Sequence, residues 1–420
     1  MRPLCLFEFT VAIGLLLSHP DLVSALEVET DFEGASVRVI SADATTQEVQ
    51  FMPGGEAARG WPCWWYFRVT GLEPSRPLAL RLSGSDAVTH VPGRPPGKPL
   101  ASSWAMPDQA SYSLDGKTWV HTAPGMKQPD GRMLYQVPAV EGKTSVLVAW
   151  GPPYPPSRAV DFVSQMGREH RMAEEMELCR SREGRSVPML RVSEGDRVPE
   201  RRFGIWVHAR QHAWESGASW VCQGFTEWLL SDDLEAAWLR QNAEIYIVPI
   251  MDVDNAATGN GGKDALPQDH NRDWSEKPNW NEVAAAQRIL SGLIAEGRLD
   301  LFLDLHNPAP NDKKTFFFAP AMELLKDQAK IRQAAFLKLA REQIEPVMPM
   351  LAEPKITSSG YHPLWRQISG NWVQANGNPH TVALCLETSW NTERSTTEGY
   401  RKVGEGLGKA VRAFVETVPR

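Results

Sequence analysis

Cysteine is scarce in this chain, five in 420 residues with none spaced as a C-x-x-C pair, so a disulfide framework is not what holds it together. Positive charge is not in excess either: 44 Lys and Arg against 51 Asp and Glu leave a net charge of −7, with no basic block. Nucleic acid is therefore not an expected partner. No internal stretch reaches the length of a transmembrane helix, and no stable membrane span is expected. What the chain does have is apolar matter. With 42% hydrophobic residues and 16 tryptophans it is not a disordered chain, and 420 residues exceed the usual size of one domain.

At the N-terminus Arg2 precedes an apolar segment from Leu4 to Leu17, interrupted by Glu8, and Val23-Ser24-Ala25 offers small residues for cleavage. This predicts a signal peptide over residues 1–25 and a secreted or periplasmic protein. The mature chain keeps Cys63, Cys179, Cys222 and Cys385; Cys222 falls in a helical pattern and Cys385 in a strand, so both are expected as buried thiols. Residues 26–150 carry short β-branched or aromatic segments, at 36–40, 64–69, 78–82 and 144–150, separated by turn residues. They predict an all-β sandwich domain. Gly151-Pro152-Pro153-Tyr154-Pro155-Pro156 marks a stiff linker over 151–159. From 160 to 420 the pattern alternates: strands at 243–249, 301–305 and 382–386, helices at 219–230, 281–295, 322–344 and 397–418, with Phe316-Phe317-Phe318 continuing the sheet. Such alternation predicts a catalytic α/β sandwich with a mixed, largely parallel central sheet.

Three short segments carry the chemistry: His212-Ala-Trp-Glu215, Asp304-Leu-His306 and Leu386-Glu387-Thr388. His212 and Glu215 are close enough for one turn at a strand end to aim both at a single point. His306 closes an apolar run that predicts a buried parallel strand, and active sites of open α/β sheets gather at the carboxyl ends of such strands. It would therefore arrive at the same edge. Two imidazoles and one carboxylate leave a zinc ion net positive, with a fourth position for a water whose pKa the metal lowers to about 7. An H-x-x-E tetrapeptide alone occurs in many chains. The set read together is a zinc hydrolase site, with Glu387 as its carboxylate base. His208 ends an apolar strand and is expected as a satisfied structural histidine.

Between these segments lie Ile247-Val248-Pro249-Ile250-Met251-Asp252-Val253-Asp254-Asn255, then Gly259-Asn260, then Asp269-His270-Asn271-Arg272-Asp273-Trp274. This order resembles the metallocarboxypeptidase family, especially its cytosolic carboxypeptidase branch, whose pattern is V-P-x-x-N-P-D-G, G-N and D-x-N-R-x-W. The resemblance covers roughly residues 200 to 417. A fainter one, at 65–69 and 112–119, is to the β-sandwich domain that precedes the catalytic domain in that branch. The resemblance implies one Zn2+ per chain held by His212, Glu215 and His306, with Glu387 as general base. It also implies that Asn271 and Arg272 hold the terminal carboxylate of the substrate, a peptide or protein C-terminus, and that Asp269 orients the His212 imidazole. A planar guanidinium grips a carboxylate bidentately and stays charged at any working pH, which suits Arg272 to that place.

The chain also departs from the family. Asn255 stands at the Gly of the family's turn, a position whose left-handed backbone Asn tolerates. The arginine that stabilises the oxyanion falls, at the fourth place counted from Gly259, on Gly262; Lys263 is the nearest cation and is expected to substitute. Tyr361 matches the substrate-capping tyrosine by rough position, and is either that lid or an ordinary loop aromatic. Arg366 is expected at the pocket floor, where it would favour acidic C-terminal residues. Two other functions stay open: a zinc amidohydrolase or deacylase acting on N-acyl amino acids or cell-wall peptides, and an inactive zinc-binding module whose sandwich recruits a partner. The loss of the oxyanion arginine favours the module, and the retention of Glu387 argues against it.

Overall fold

The computed structural model of the chain describes residues 25–89, 97–195 and 202–419. Apart from Ala25, the expected signal peptide lies outside them. The first half forms two five-stranded sheets. One runs Glu27–Glu29, Tyr66–Thr70, Ser145–Ala149, Ser111–Ser113, Val120–His121; the other runs Arg38–Asp43, Glu48–Met52, Leu78–Leu82, Met133–Val137, Met126–Lys127. Alternation decides which side chains point inward: in Leu78–Leu82 the three leucines are buried while Ala79 and Arg81 are half-exposed. Phe51 meets Trp65 and Phe67 edge-on at 5.3 and 4.9 Å in this core. This is the all-β sandwich the segment pattern predicts.

The second half is built on one eight-stranded sheet, in the order Ala173–Arg180, Ser186–Val192, Ala243–Val248, Phe203–Ala209, Leu299–His306, Val382–Glu387, Phe316–Pro320, Lys355–Thr357. The four central strands are parallel, and antiparallel pairings flank them on either side. Leu299–His306 is buried along its whole length, as a central parallel strand covered on both faces must be. Helices Ser216–Leu229 and Thr397–Thr417 cross at Gly224 and Gly404, where any Cβ would run into the Arg401 and Val221 carbonyl oxygens of the facing helix. The class is thus an α/β sandwich with a mixed, largely parallel sheet, preceded by an all-β sandwich.

Tryptophans join the two halves. Trp61, Trp104 and Trp150 come from the first half, Trp214 and Trp390 from the second. Their rings stand 4.6 Å apart for Trp61 and Trp104, 6.0 Å for Trp104 and Trp214, 5.7 Å for Trp150 and Trp214, and 4.5 Å for Trp150 and Trp390. Backbone hydrogen bonds continue the seam: Trp61 N donates to Lys263 O, Gly262 N to Arg59 O and Leu266 N to Ala58 O. Such approach needs glycine. Gly262 has φ +77°, and a Cβ there would collide with the Asp252 carboxylate and the Ala213 amide; one on Gly261 would collide with the Trp61 carbonyl. With this backbone no side chain, an arginine included, fits at 262.

Candidate active site

Sheet register brings the distant segments together. His306 and Glu387 end neighbouring parallel strands and pair directly across them. The adjacent strand Phe203–Ala209 leads into the turn that carries His212. Glu215 sits at the N-cap of helix Ser216–Leu229 with its side chain making no cap bond. Instead its Oε1 lies 2.9 Å from His212 Nδ1 and its Oε2 2.7 Å from His306 Nδ1. Burial alone would push the Glu215 carboxyl up; the two imidazoles outweigh it and hold it at about 2. The donor atoms of these three buried residues lie within 4.8 Å of one another. Two imidazole nitrogens and a carboxylate converging on one point are the donor set that zinc takes, so the residues present fit that ion.

A second ring of contacts holds these three side chains. Asp304 is a buried hub: Oδ2 accepts from Gln211 Nε2 and Ser369 Oγ, each at 2.6 Å, and Oδ1 lies 2.9 Å from Nε2 of both His208 and His306. Desolvation opposes its charge, yet His306 and His208 keep it well below the usual carboxylate range. His208 is satisfied on its other side by Trp206 Nε1 at 2.8 Å and stands outside the metal group. Asp269 Oδ1 is 3.5 Å from His212 Nε2. Asn307 ties three parts together: its backbone N–H donates to Glu215, its Oδ1 accepts from Ala218 N, and its Nδ2 donates to Thr388 O.

These groups open on a cleft of about 380 Å³ that also holds Lys263, Asn271, Arg272, Tyr361 and Glu387. Asn271 and Arg272 lie on the short turn His270–Arg272. Asn271 Nδ2 faces His306 Nε2 at 3.3 Å, and its Oδ1 accepts from Ser369 N. Arg272 is buried, 3.8 Å from Asp269 Oδ1, with its Nε unpartnered. Tyr361 is 42% exposed and stands at the mouth, its ring 5.0 Å from Phe318 and 5.9 Å from the Arg272 guanidinium. Lys263 is half-buried, with Nζ 5.2 Å from the Trp61 ring. The Glu387 carboxyl is pushed up by burial from 4.5 to about 7, against the pull of His306. Its Oε2 has no partner.

Arg366 is a correction. It is exposed, 4.3 Å over the Trp365 ring and 3.5 Å from Glu323, and it does not line the cleft. The turn Trp365–Gln367 sends Trp365 inward and Arg366 to solvent. Phe316, Phe318, Ile356, Ile368 and Cys385 line that end instead, with Lys355 paired to Asp312 at 3.3 Å. Other residues went unmarked in the sequence. Arg210 is buried at φ +63° and donates to the Ala213 and Tyr154 carbonyl oxygens, bracing the His212–Glu215 turn. Its place two residues before His212 was the available signal. For Trp104, about a hundred residues upstream of the motifs, the sequence held none.

His270 makes a separate electrostatic contribution. Its ring stacks on Trp280 at 4.7 Å, with Nδ1 3.7 Å from Asp252 and Nε2 3.5 Å from Glu282. Burial would lower the imidazole, but the two carboxylates overcome it and raise it from 6.5 to about 9. A raised folded-state value means stability that is fully present below pH 6.5 and lost as pH rises through about 9. We expect wild-type urea unfolding to lose up to about 3 kcal/mol across that window, and His270→Gln to show no such decline. An equal decline in the variant would assign it to another group.

Taken as geometry, the fold and cleft define a metal-assisted hydrolase scaffold with its site at the carboxyl edge of a mixed sheet. Residues 160–292 match the family model described as zinc carboxypeptidase. The chain is 28% identical over 283 residues to an uncharacterized protein of Zymomonas mobilis, covering 67% of each. It is 27% identical over 134 residues to cytosolic carboxypeptidase 2 of Mus musculus, covering 31% of this chain and 16% of that one. A metallo-carboxypeptidase structure from Burkholderia cenocepacia superposes with TM-score 0.76 at 20% identity, covering 94% of this chain and all of that one. The chain therefore carries a zinc carboxypeptidase domain, is homologous to the cytosolic carboxypeptidases, and has the metallocarboxypeptidase fold.

Proposed function

We propose that this protein is a zinc carboxypeptidase that removes single residues from free C-termini of peptides. The observation that carries the reading is one cleft lined by His212 and Glu215, whose donor set His306 completes, by the half-buried Glu387 with an unpartnered oxygen and by the buried Arg272 with an unpartnered Nε. His212, Glu215 and His306 would hold the zinc, which when bound supplies Lewis acidity toward the scissile carbonyl and acidifies water. Arg272 and Asn271 bind the terminal carboxylate and fix the register, so that the last amide bond is the one presented. Glu387 takes a proton from the attacking water and delivers it to the leaving amine. Asp269 and Asp304 orient the two imidazoles.

Lys263 is the cation available to the developing oxyanion. Lys263→Ala is expected to lower kcat by about 10²- to 10³-fold, the cost of one oxyanion donor, with a smaller change in KM. An equal kcat hands the task to another group.

The reading as a whole is tested with peptide libraries in paired free and amidated forms, followed by mass spectrometry with the zinc-loaded protein. Loss of single residues from free ends alone supports it. Cleavage of both forms, or of neither, overturns it, and release of acyl groups from N-acyl amino acids would point to the deacylase instead.

A further inference from the structure

The cleft has a wall that the second half of the chain does not supply. Trp104, from the short turn Ser102–Trp104 in the first half, lines it beside His212, Trp214 and Lys263. We propose that Trp104 is a specificity-determining residue, binding an apolar or aromatic side chain of the residue on the acyl side of the scissile bond, the penultimate residue of the substrate. The inference rests on the carboxypeptidase reading and deepens it.

The cleft has two ends, and their contents dictate which substrate residue meets which. At one end Arg272, Tyr361 and Phe318 form a continuous group, with 5.9 Å between the guanidinium and the tyrosine ring and 5.0 Å between the two rings. A terminal carboxylate on Arg272 places the last residue's side chain there. The scissile carbonyl then lies at His212, Glu215 and His306, so the preceding residue continues to the remaining side. Trp104 occupies that side. Its ring is 6.0 Å from Trp214, which sits between His212 and Glu215, and 4.6 Å from Trp61, whose face carries the Lys263 ammonium.

The ring is pinned. Trp61 and Trp214 meet it edge-on at 70° and 78°, and the backbone around it is clamped, Trp104 O accepting from Trp150 Nε1 and Ala105 O from Trp65 Nε1, both at 2.9 Å. A half-buried aromatic that cannot swing away loses little freedom when it meets a partner, so its contact area converts into discrimination.

The test is a peptide series with one free C-terminal residue and a penultimate Gly, Ala, Leu or Phe. With wild type, kcat/KM is expected to rise about 30-fold from Gly to Phe. In Trp104→Ala the series flattens to within about threefold because the penultimate-Phe peptide loses far more kcat/KM than the penultimate-Gly peptide, and the preference for the terminal residue is unchanged. A series that stays steep in the variant, or a Gly peptide that falls as far as the Phe peptide, overturns the proposal. So does a flat wild-type series, which needs no variant to fold. Wild type that cleaves none of the peptides is a different result, the failure of the carboxypeptidase reading itself.

Discussion

Glu387→Gln is expected to keep a full complement of zinc and to lose about 10³- to 10⁴-fold in kcat. The amide keeps the shape of the side chain, while His212, Glu215 and His306 make their contacts to one another without it. What disappears is the group able to accept a proton. Elemental analysis after gel filtration, beside kcat on a free-ended peptide, separates the two. Unchanged turnover removes Glu387 from its role, and loss of zinc makes it a ligand. The pH profile carries the same signature. The working form is the carboxylate, so kcat/KM falls as pH drops through the Glu387 value. Burial raises that value from 4.5 to about 7, and a zinc ion beside it pulls it back down, which places the acid limb between these limits.

Arg272→Met should lower kcat/KM for free C-termini by about 10³-fold, since two charge-assisted hydrogen bonds of about 1.5–3 kcal/mol each are lost. The poor activity on amidated peptides should not change, so the preference for free ends collapses. Arg272→Lys is expected between the two, because it restores the charge without the planar fork. Desolvation disfavours the Asp269 carboxylate and Arg272 is the leading charge that opposes it, with His212 next. Zinc content is therefore checked alongside. A variant that still rejects amidated peptides would show that another group holds the carboxylate.

The candidate site was legible to the extent that it consists of residue types in a fixed order. His212, Glu215 and Glu387 fall into one cleft, with Asn271, Arg272, Lys263 and Tyr361, and His306 joins His212 and Glu215 just behind its wall. Charge alone did not place Arg366, which reaches solvent because the turn beside it buries Trp365 instead. The strand expected at 36–40 lies at Arg38–Asp43 and is exposed throughout. An edge strand buries too little to leave a clear alternation in its sequence. The central strands were plain because burial on both faces forces a largely apolar run, which the buried Asp300 and Asp304 interrupt without breaking.

By itself, then, the sequence determined the chemistry on offer and the class of fold, because ligand type, base and backbone periodicity are local properties of the chain. Only the tertiary structure decided the company those groups keep. The register of Leu299–His306 against Val382–Glu387 sets His306 beside Glu387. Asp304 gathers Gln211, Ser369 and two histidines. The seam of tryptophans brings Trp104 against Trp214, in the turn that carries His212 and Glu215 more than a hundred residues away. Contacts across such separations depend on how whole elements pack, and the spacing of residues along the chain does not encode them.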